Sequence, residues 1–298
     1  MDEKEIPENL QRDDVCLIPS LPSEIDCHGE ELFKYQGWWY DSKMVQAILN
    51  FQRGFEPQDT DIMIASYPNS GTTWLKALTV ALLERSKHSS GDHPLLHDNP
   101  HPLVPFFERD LYTKSSKPDM AKFSSSPRLF STHVPLHTLR EGLKNSPCKI
   151  LYVWRNVKDV LVSYWYFKSA NLKIEAKRST LESMFESFCT RVRFYGPFWE
   201  HVLAYWKGSL EDSKNVLFLR YEDLKTEPRV QLKIIAEFLD CPFTAEEEEG
   251  GSVEDILDIC SLLNLKNLEE SITRTFSVKE KSVTTRIILL LKWRREWT

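Results

Sequence analysis

The sequence holds no paired cysteines. Its six thiols, Cys16, Cys27, Cys148, Cys189, Cys241 and Cys260, are scattered without a C-x-x-C, which reads as reduced or incidental thiols of an intracellular protein. Zinc spacing is missing from the eight histidines. His93, His97 and His101 recur every four residues, but Pro94, Pro100 and Pro102 forbid the helix that would align them. Excess basic charge is absent too. A net charge of −6 argues against a nucleic-acid partner, yet leaves room for a local cationic pocket around an anionic ligand. The opening MDEKEIPENLQRDD is acidic and polar, unlike a signal or transit peptide. No apolar run approaches membrane-spanning length, and no internal repeat is found. The expectation is a cytosolic protein of ordinary globular composition, 41% hydrophobic and 28% charged.

What is present alternates strand and helix. Residues 1–30 are expected to be a flexible arm. LFKYQGWWY (32–40) is aromatic-rich, and DSKMVQAILNFQRGF reads as a helix capped by Asp41. DIMIASYP (61–68) reads as a buried strand, and TTWLKALTVALLERS as a helix with its apolar face on Trp74, Leu75, Leu78, Val80, Leu82 and Leu83. Residues 87–126 form a long irregular stretch of the kind that is usually functional. PRLFSTH (127–133), CKILYVWR (148–155) and NVLFLRYEDL (215–224) are predicted strands. NVKDVLVSYWYF, GPFWEHVLAYWKGS and PRVQLKIIAEFL are predicted helices. EEEE (246–249) reads as a solvated helix start or loop. The predicted fold class is α/β, a single domain with a central parallel sheet covered on both faces.

Three strand ends carry chemistry-bearing residues. In SYPNSGTTW (66–74), Gly71 permits a tight turn, and Ser70, Thr72 and Thr73 add hydroxyls where helix-start amides face an anion. The Walker pattern is not met, since no Gly-Lys pair occurs; a capped helix start with no ligand is the competing reading. Arg155 ends a strand, with Ser163 eight residues on, about two helical turns. That is where ligands sit in doubly wound sheets, although a surface salt bridge would explain Arg155 alone. His133 ends another strand on the same rim and is able to accept a hydroxyl proton at neutral pH, against the alternative of a structural histidine.

YPNSGTTWLK, FSTHVP, ILYVWRNVKDVLVSYW and VLFLRYEDL, in that order, resemble the cytosolic sulfotransferase family, especially its plant branch; YQGWWY and EEEEGG fit that branch as well. The resemblance runs from about residue 30 to about 270. It implies a P-loop-like strand-loop-helix that binds PAPS (3′-phosphoadenosine 5′-phosphosulfate) and passes its sulfuryl group to a hydroxyl, with no metal. It further implies that Asn69, Ser70, Gly71, Thr72 and Thr73 cradle the phosphosulfate, that Trp74 and Tyr221 contact the adenine, that Arg155 and Ser163 hold the 3′ phosphate, and that His133 is the base. The acceptor, a phenol, steroid, jasmonate derivative or glucosinolate precursor of plant secondary metabolism, would be shaped by variable loops at 87–126 and 168–185.

Two departures stand out. The family's loop usually has lysine where this chain has Asn69, which raises a catalytically inactive nucleotide- or acceptor-binding protein as the alternative. Lys76, one turn on, would substitute only if its side chain folded back. The sulfotransferase domain is expected over 31–274, followed by an atypical tail, 275–298. The family normally ends with a phosphate-binding F-R-K-G-x-x-G-D; this chain has TFSVKEKSVTTRIILLLKWRREWT. Permitted codons for Phe276 to Thr284, read from their third base, spell FRKGEVGD, so the tail is expected to be a shifted reading frame of the usual terminus.

Overall fold

The computed structural model describes residues 17–87, 92–123, 126–171, 178–261 and 263–265. In chain order the elements are β1 (Ser23–Ile25), β2 (Glu31–Tyr35), β3 (Trp38–Tyr40), α1 (Ser42–Gly54), β4 (Ile62–Ser66), α2 (Thr72–Glu84), β5 (Leu129–Thr132), α3 (Leu136–Gly142) and β6 (Lys149–Trp154). There follow α4 (Val157–Asn171), α5 (Arg178–Thr190), α6 (Phe198–Glu211), β7 (Val216–Arg220), α7 (Tyr221–Thr226), α8 (Pro228–Phe238), α9 (Ala245–Glu249) and α10 (Ser252–Ile259). Single helical turns, including Pro100–Leu103 and Phe107–Leu111, break up the irregular stretch between α2 and β5. The fold is α/β. Its central sheet has the order β5-β4-β6-β7, with β4 and β5 parallel from Ile62 opposite Leu129 to Ala65 opposite Thr132. All five residues of β4 are buried, as a strand covered on both faces requires.

The described residues group into two compact units. The first draws on residues 17–67, Pro105–Tyr152 and Ser183–Phe218. There Asp41 caps α1, its carboxylate accepting the Met44 N–H at 2.7 Å. Phe51, Phe55, Phe107 and Phe130 pack with ring centroids 4.6–5.8 Å apart. A buried, two-pronged ion pair from Arg128 to Asp61, at 2.7 and 2.6 Å, ties the residues just before β5 and β4 together. The aromatic stretch 32–40 forms the hairpin β2–β3, with Tyr35 opposite Trp38. Its two-residue loop, Gln36 and Gly37, has φ of 51° and 90°, positive at both positions as such tight hairpins demand.

The second unit draws on the described residues of Pro68–Val104, Val153–Glu182 and 219–265. Leu75, Leu78, Val80 and Leu82 of α2 are buried as the periodicity predicts, and so are Lys76 and Thr79. The EEEE segment forms α9, started by a capping box between Thr244 and Glu247. Arg85 beside the end of α2 donates to the Glu247 carboxylate at 2.8 Å and to the Cys241 carbonyl at 3.1 Å.

Three expectations are corrected. Of the supposed arm, residues 23–25 form β1 and pair with β2, because their backbone groups find a strand edge; residues 1–16 lie outside the described residues. The strand predicted over 215–224 stops at Arg220, and Tyr221 opens α7; YEDLKT lacks the alternation that continues a strand and has two acids suited to a helix start. The loop expected at 168–185 is helix up to Asn171 and again from Arg178. The tail, 275–298, and the reading-frame expectation for it lie outside the described residues.

Candidate active site

In the second unit the loop after β4 turns on two left-handed residues, Asn69 (φ 65°) and Gly71 (φ 107°). Asparagine is among the few side chains that tolerate this region. Gly71 is required twice over, since a Cβ on it would lie 2.5 Å from the Tyr221 ring. Tyr221 is the hub of this unit. Trp74 meets its ring edge-on at 5.7 Å, and the Arg155 guanidinium lies over it at 4.6 Å. The structure thus gathers Gly71, Trp74, Arg155 and Tyr221, which the sequence reading assigned to one ligand.

The same unit holds polar groups that the described residues do not satisfy. Ser70 Oγ, Arg155 Nε and Ser163 Oγ are buried with no hydrogen-bond partner among the described residues, Arg155 having only an ion pair to Asp159 at 3.8 Å. Buried polar groups are nearly always paired, so three such groups in one unit fit an external anion with several acceptor oxygens. Thr72, two residues after Ser70, is buried at the start of α2.

In the first unit, His133 directly follows β5 and is 4% exposed. Its Nδ1 lies 2.8 Å from the carbonyl oxygen of Ser66, the last residue of β4. A carbonyl only accepts, so Nδ1 carries the proton and Nε2 is the basic nitrogen. The backbone around it is clamped. Glu108 accepts the His133 N–H at 2.9 Å, the Thr132 hydroxyl at 2.9 Å and the Tyr195 hydroxyl at 3.0 Å. Burial pushes the Glu108 carboxyl up against those three donors, which pull it down. His201 Nε2 donates to the His133 carbonyl at 2.9 Å, and its Nδ1 accepts from the Tyr152 hydroxyl at 3.0 Å. Burial depresses His201 to about 4, so it is neutral.

A sulfotransferase domain matches residues 59–296. Cytosolic sulfotransferase 7 of Arabidopsis thaliana is 74% identical over 274 residues, covering 90% of this chain and 84% of the relative. The chain belongs to the sulfotransferase family. Cytosolic sulfotransferase 8 of the same plant is 60% identical over 292 residues, covering 94% and 87%. A crystal structure of an Arabidopsis thaliana sulphotransferase is 39% identical with a TM-score of 0.73, covering 93% of this chain and 99% of that one. A mouse sulfotransferase complexed with PAP shares the fold, with a TM-score of 0.61 at 22% identity, covering 90% and 88%. The enzymatic activity of this sulfotransferase is sulfuryl transfer.

Three residues of the network around His133 were not legible beforehand. Glu108, Tyr195 and His201 lie far from His133 in sequence, and nothing local marks them; for His201, only its helical spacing from Tyr205, both on the buried face of α6, was a signal. Lys76 does not fold back to Asn69. It is fully buried, its Nζ donating to the Val104 carbonyl at 2.7 Å and lying 3.3 Å from His101 Nδ1. Among the described residues the one group of three potential metal ligands is Asp26, Cys27 and His28, where the Asp26 carboxylate already accepts the N–H groups of His28 and Glu30. No helix among the described residues is long and apolar enough to cross a membrane.

Proposed function

We propose that the chain is a PAPS-dependent sulfotransferase of the cytosol that sulfates a small hydroxylated acceptor. PAPS, when bound, supplies the sulfuryl group as the electrophile. Ser70, Thr72 and Thr73 present hydroxyls and helix-start amides to its anionic end, with Asn69 and Gly71 setting the turn. Arg155 and Ser163 bind the other phosphate, and Trp74 and Tyr221 supply aromatic faces for the adenine. His133 Nε2 accepts the acceptor hydroxyl's proton as that oxygen becomes a nucleophile. The observation carrying the reading is that Ser70 Oγ, Arg155 Nε and Ser163 Oγ are buried with no hydrogen-bond partner among the described residues.

What supports turnover rather than mere binding is the specific tautomer imposed on His133 by Ser66 and the clamp around it. A carrier has no use for a basic Nε2 held this firmly. The test has two arms: calorimetry with PAP, and radiolabelled sulfate transfer over a panel of phenols, steroids and other small alcohols. His133→Ala is expected to abolish transfer while leaving PAP affinity in place. Transfer that persists in His133→Ala removes the base assignment, and no PAP binding by the wild type removes the donor assignment.

A further inference from the structure

Thr73 of the anion loop is linked to a buried lysine. Its Oγ1 lies 3.3 Å from His101 Nε2, and His101 Nδ1 lies 3.3 Å from Lys76 Nζ. Lys76 is 0% exposed and also donates to the Val104 carbonyl at 2.7 Å. His101 sits in the one-turn helix Pro100–Leu103, which Asn99 fixes by accepting the His101 N–H at 2.9 Å. Thr73, Lys76 and His101 all belong to the second unit.

The polarity of this chain follows from its chemistry. As an ammonium, Lys76 has three donors and no acceptor, so His101 Nδ1 accepts a hydrogen bond from Lys76 and carries no proton itself. The proton of the neutral ring therefore sits on Nε2 and points at Thr73 Oγ1. A second ring proton, on Nδ1, would face the ammonium directly, and like charge disfavours it. With Oγ1 accepting from His101, the Thr73 hydroxyl turns its own proton away from the imidazole.

We propose that His101 is a positioning residue: relayed from the buried charge of Lys76, it orients the Thr73 hydroxyl as a donor to the phosphosulfate end of PAPS. The proposal rests on the donor-binding reading above. It gives the irregular stretch between α2 and β5 a function in donor binding as well as in shaping the acceptor site. The three-residue relay also brings the effect of a cation to a loop whose position 69 has none.

The decisive comparison is His101→Leu against His101→Gln. A glutamine amide can accept from Lys76 through Oε1 and donate to Thr73 through Nε2; leucine can do neither. PAP affinity by calorimetry is expected to fall about tenfold in His101→Leu, the worth of one charge-assisted hydrogen bond, and to return largely in His101→Gln. Thermal melts establish that both variants are folded. Equal PAP affinity in a folded His101→Leu, or no recovery in a folded His101→Gln, overturns the relay. Nitrogen-15 NMR of the imidazole provides a reading that does not depend on the donor: the Nε2–H neutral tautomer is expected in the free wild-type protein, and an Nδ1–H or doubly protonated ring overturns it. Failure of the wild type to bind PAP would instead sink the donor-binding reading, with the tautomer measurement still deciding the relay.

Discussion

The guanidinium carbon of Arg155 lies over the ring of Tyr221, 4.6 Å from its centroid. The same ring meets Trp74 edge-on at 5.7 Å and blocks any side chain at residue 71. One side chain thus orders the loop, the strand-end arginine and the aromatic face. Each aromatic or cation–π contact is worth about 0.5–2 kcal/mol. Tyr221→Ala is therefore expected to weaken PAP binding at least tenfold or so, while Tyr221→Phe keeps the ring and most of the affinity. Calorimetry checks both; an alanine variant that binds like wild type would show the ring to be a bystander.

Gly71→Ala combines two penalties. A left-handed φ costs an L-residue about 1–2 kcal/mol, and the new Cβ would lie 2.5 Å from Tyr221 Cδ2. The melting temperature and PAP affinity are expected to drop together. In a Tyr221→Ala background the steric part disappears, so the two substitutions should be non-additive, with the double variant better than the sum. Strict additivity in melting free energy would mean that the clash is relieved some other way.

Local signals made much of this legible. Asp41 before an apolar helical pattern, the acidic α9 start and the apolar runs of β4, β5 and β6 each announce their element through a cap or a periodicity. The hairpin β2–β3 was hidden because its turn is Gln-Gly rather than the usual Asn-Gly or Asp-Gly. Tyr221 was assigned to a strand because LFLRY continues an apolar run, and only the following acids betray a helix. In the second unit, Ser70, Gly71 and Arg155 could be singled out because each sits at a strand-loop-helix junction, and Ser163 by its spacing of two helical turns from Arg155. Glu108 could not be: it acts across 25 residues on His133, from a π-helical turn in a stretch without periodicity.

Glu108→Gln tests that hidden clamp. The carboxylate accepts three hydrogen bonds, from the His133 N–H and the Thr132 and Tyr195 hydroxyls. An amide puts an NH₂ where one acceptor stood, and Thr132 Oγ1 already accepts from Val134 N–H. The expected result is about a tenfold loss in kcat, a fraction of the 10²–10⁴ that a positioned base supplies, with PAP affinity unchanged. Steady-state kinetics with calorimetry separates the two, and a loss confined to PAP binding would contradict the assignment.

His201 predicts an acid limit to stability. Its folded-state pKa is depressed from 6.5 to about 4 by burial. The unfolded chain therefore binds the extra proton first, and stability falls as pH drops from about 6.5 toward 4, by up to roughly 3 kcal/mol. Glu108, raised by burial, acts in the opposite sense, favouring the folded state at low pH. Comparing wild type with His201→Gln isolates the histidine. The variant is expected to be less stable at pH 7, because the His133 carbonyl and Tyr152 hydroxyl lose their fitted partner, yet to lose less on acidification. Parallel stability curves between pH 7 and 4 would show that His201 is protonated without penalty.

Asn69 sets the last test. Its left-handed φ of 65° suits asparagine, and Lys76 is committed to Val104 and His101, so no lysine of α2 serves this position. A lysine there would pay about 1 kcal/mol of backbone strain but would bring a positive charge to the bridging oxygen of the donor. One positioned electrostatic donor is worth about 10²–10³ in rate. Asn69→Lys is therefore expected to lower the melting temperature slightly and to raise kcat by up to that factor, with the acceptor KM little changed. Turnover that stays flat in a folded Asn69→Lys would mean that the positive charge is already supplied from elsewhere in the protein, and would remove position 69 as the limit on this enzyme's rate.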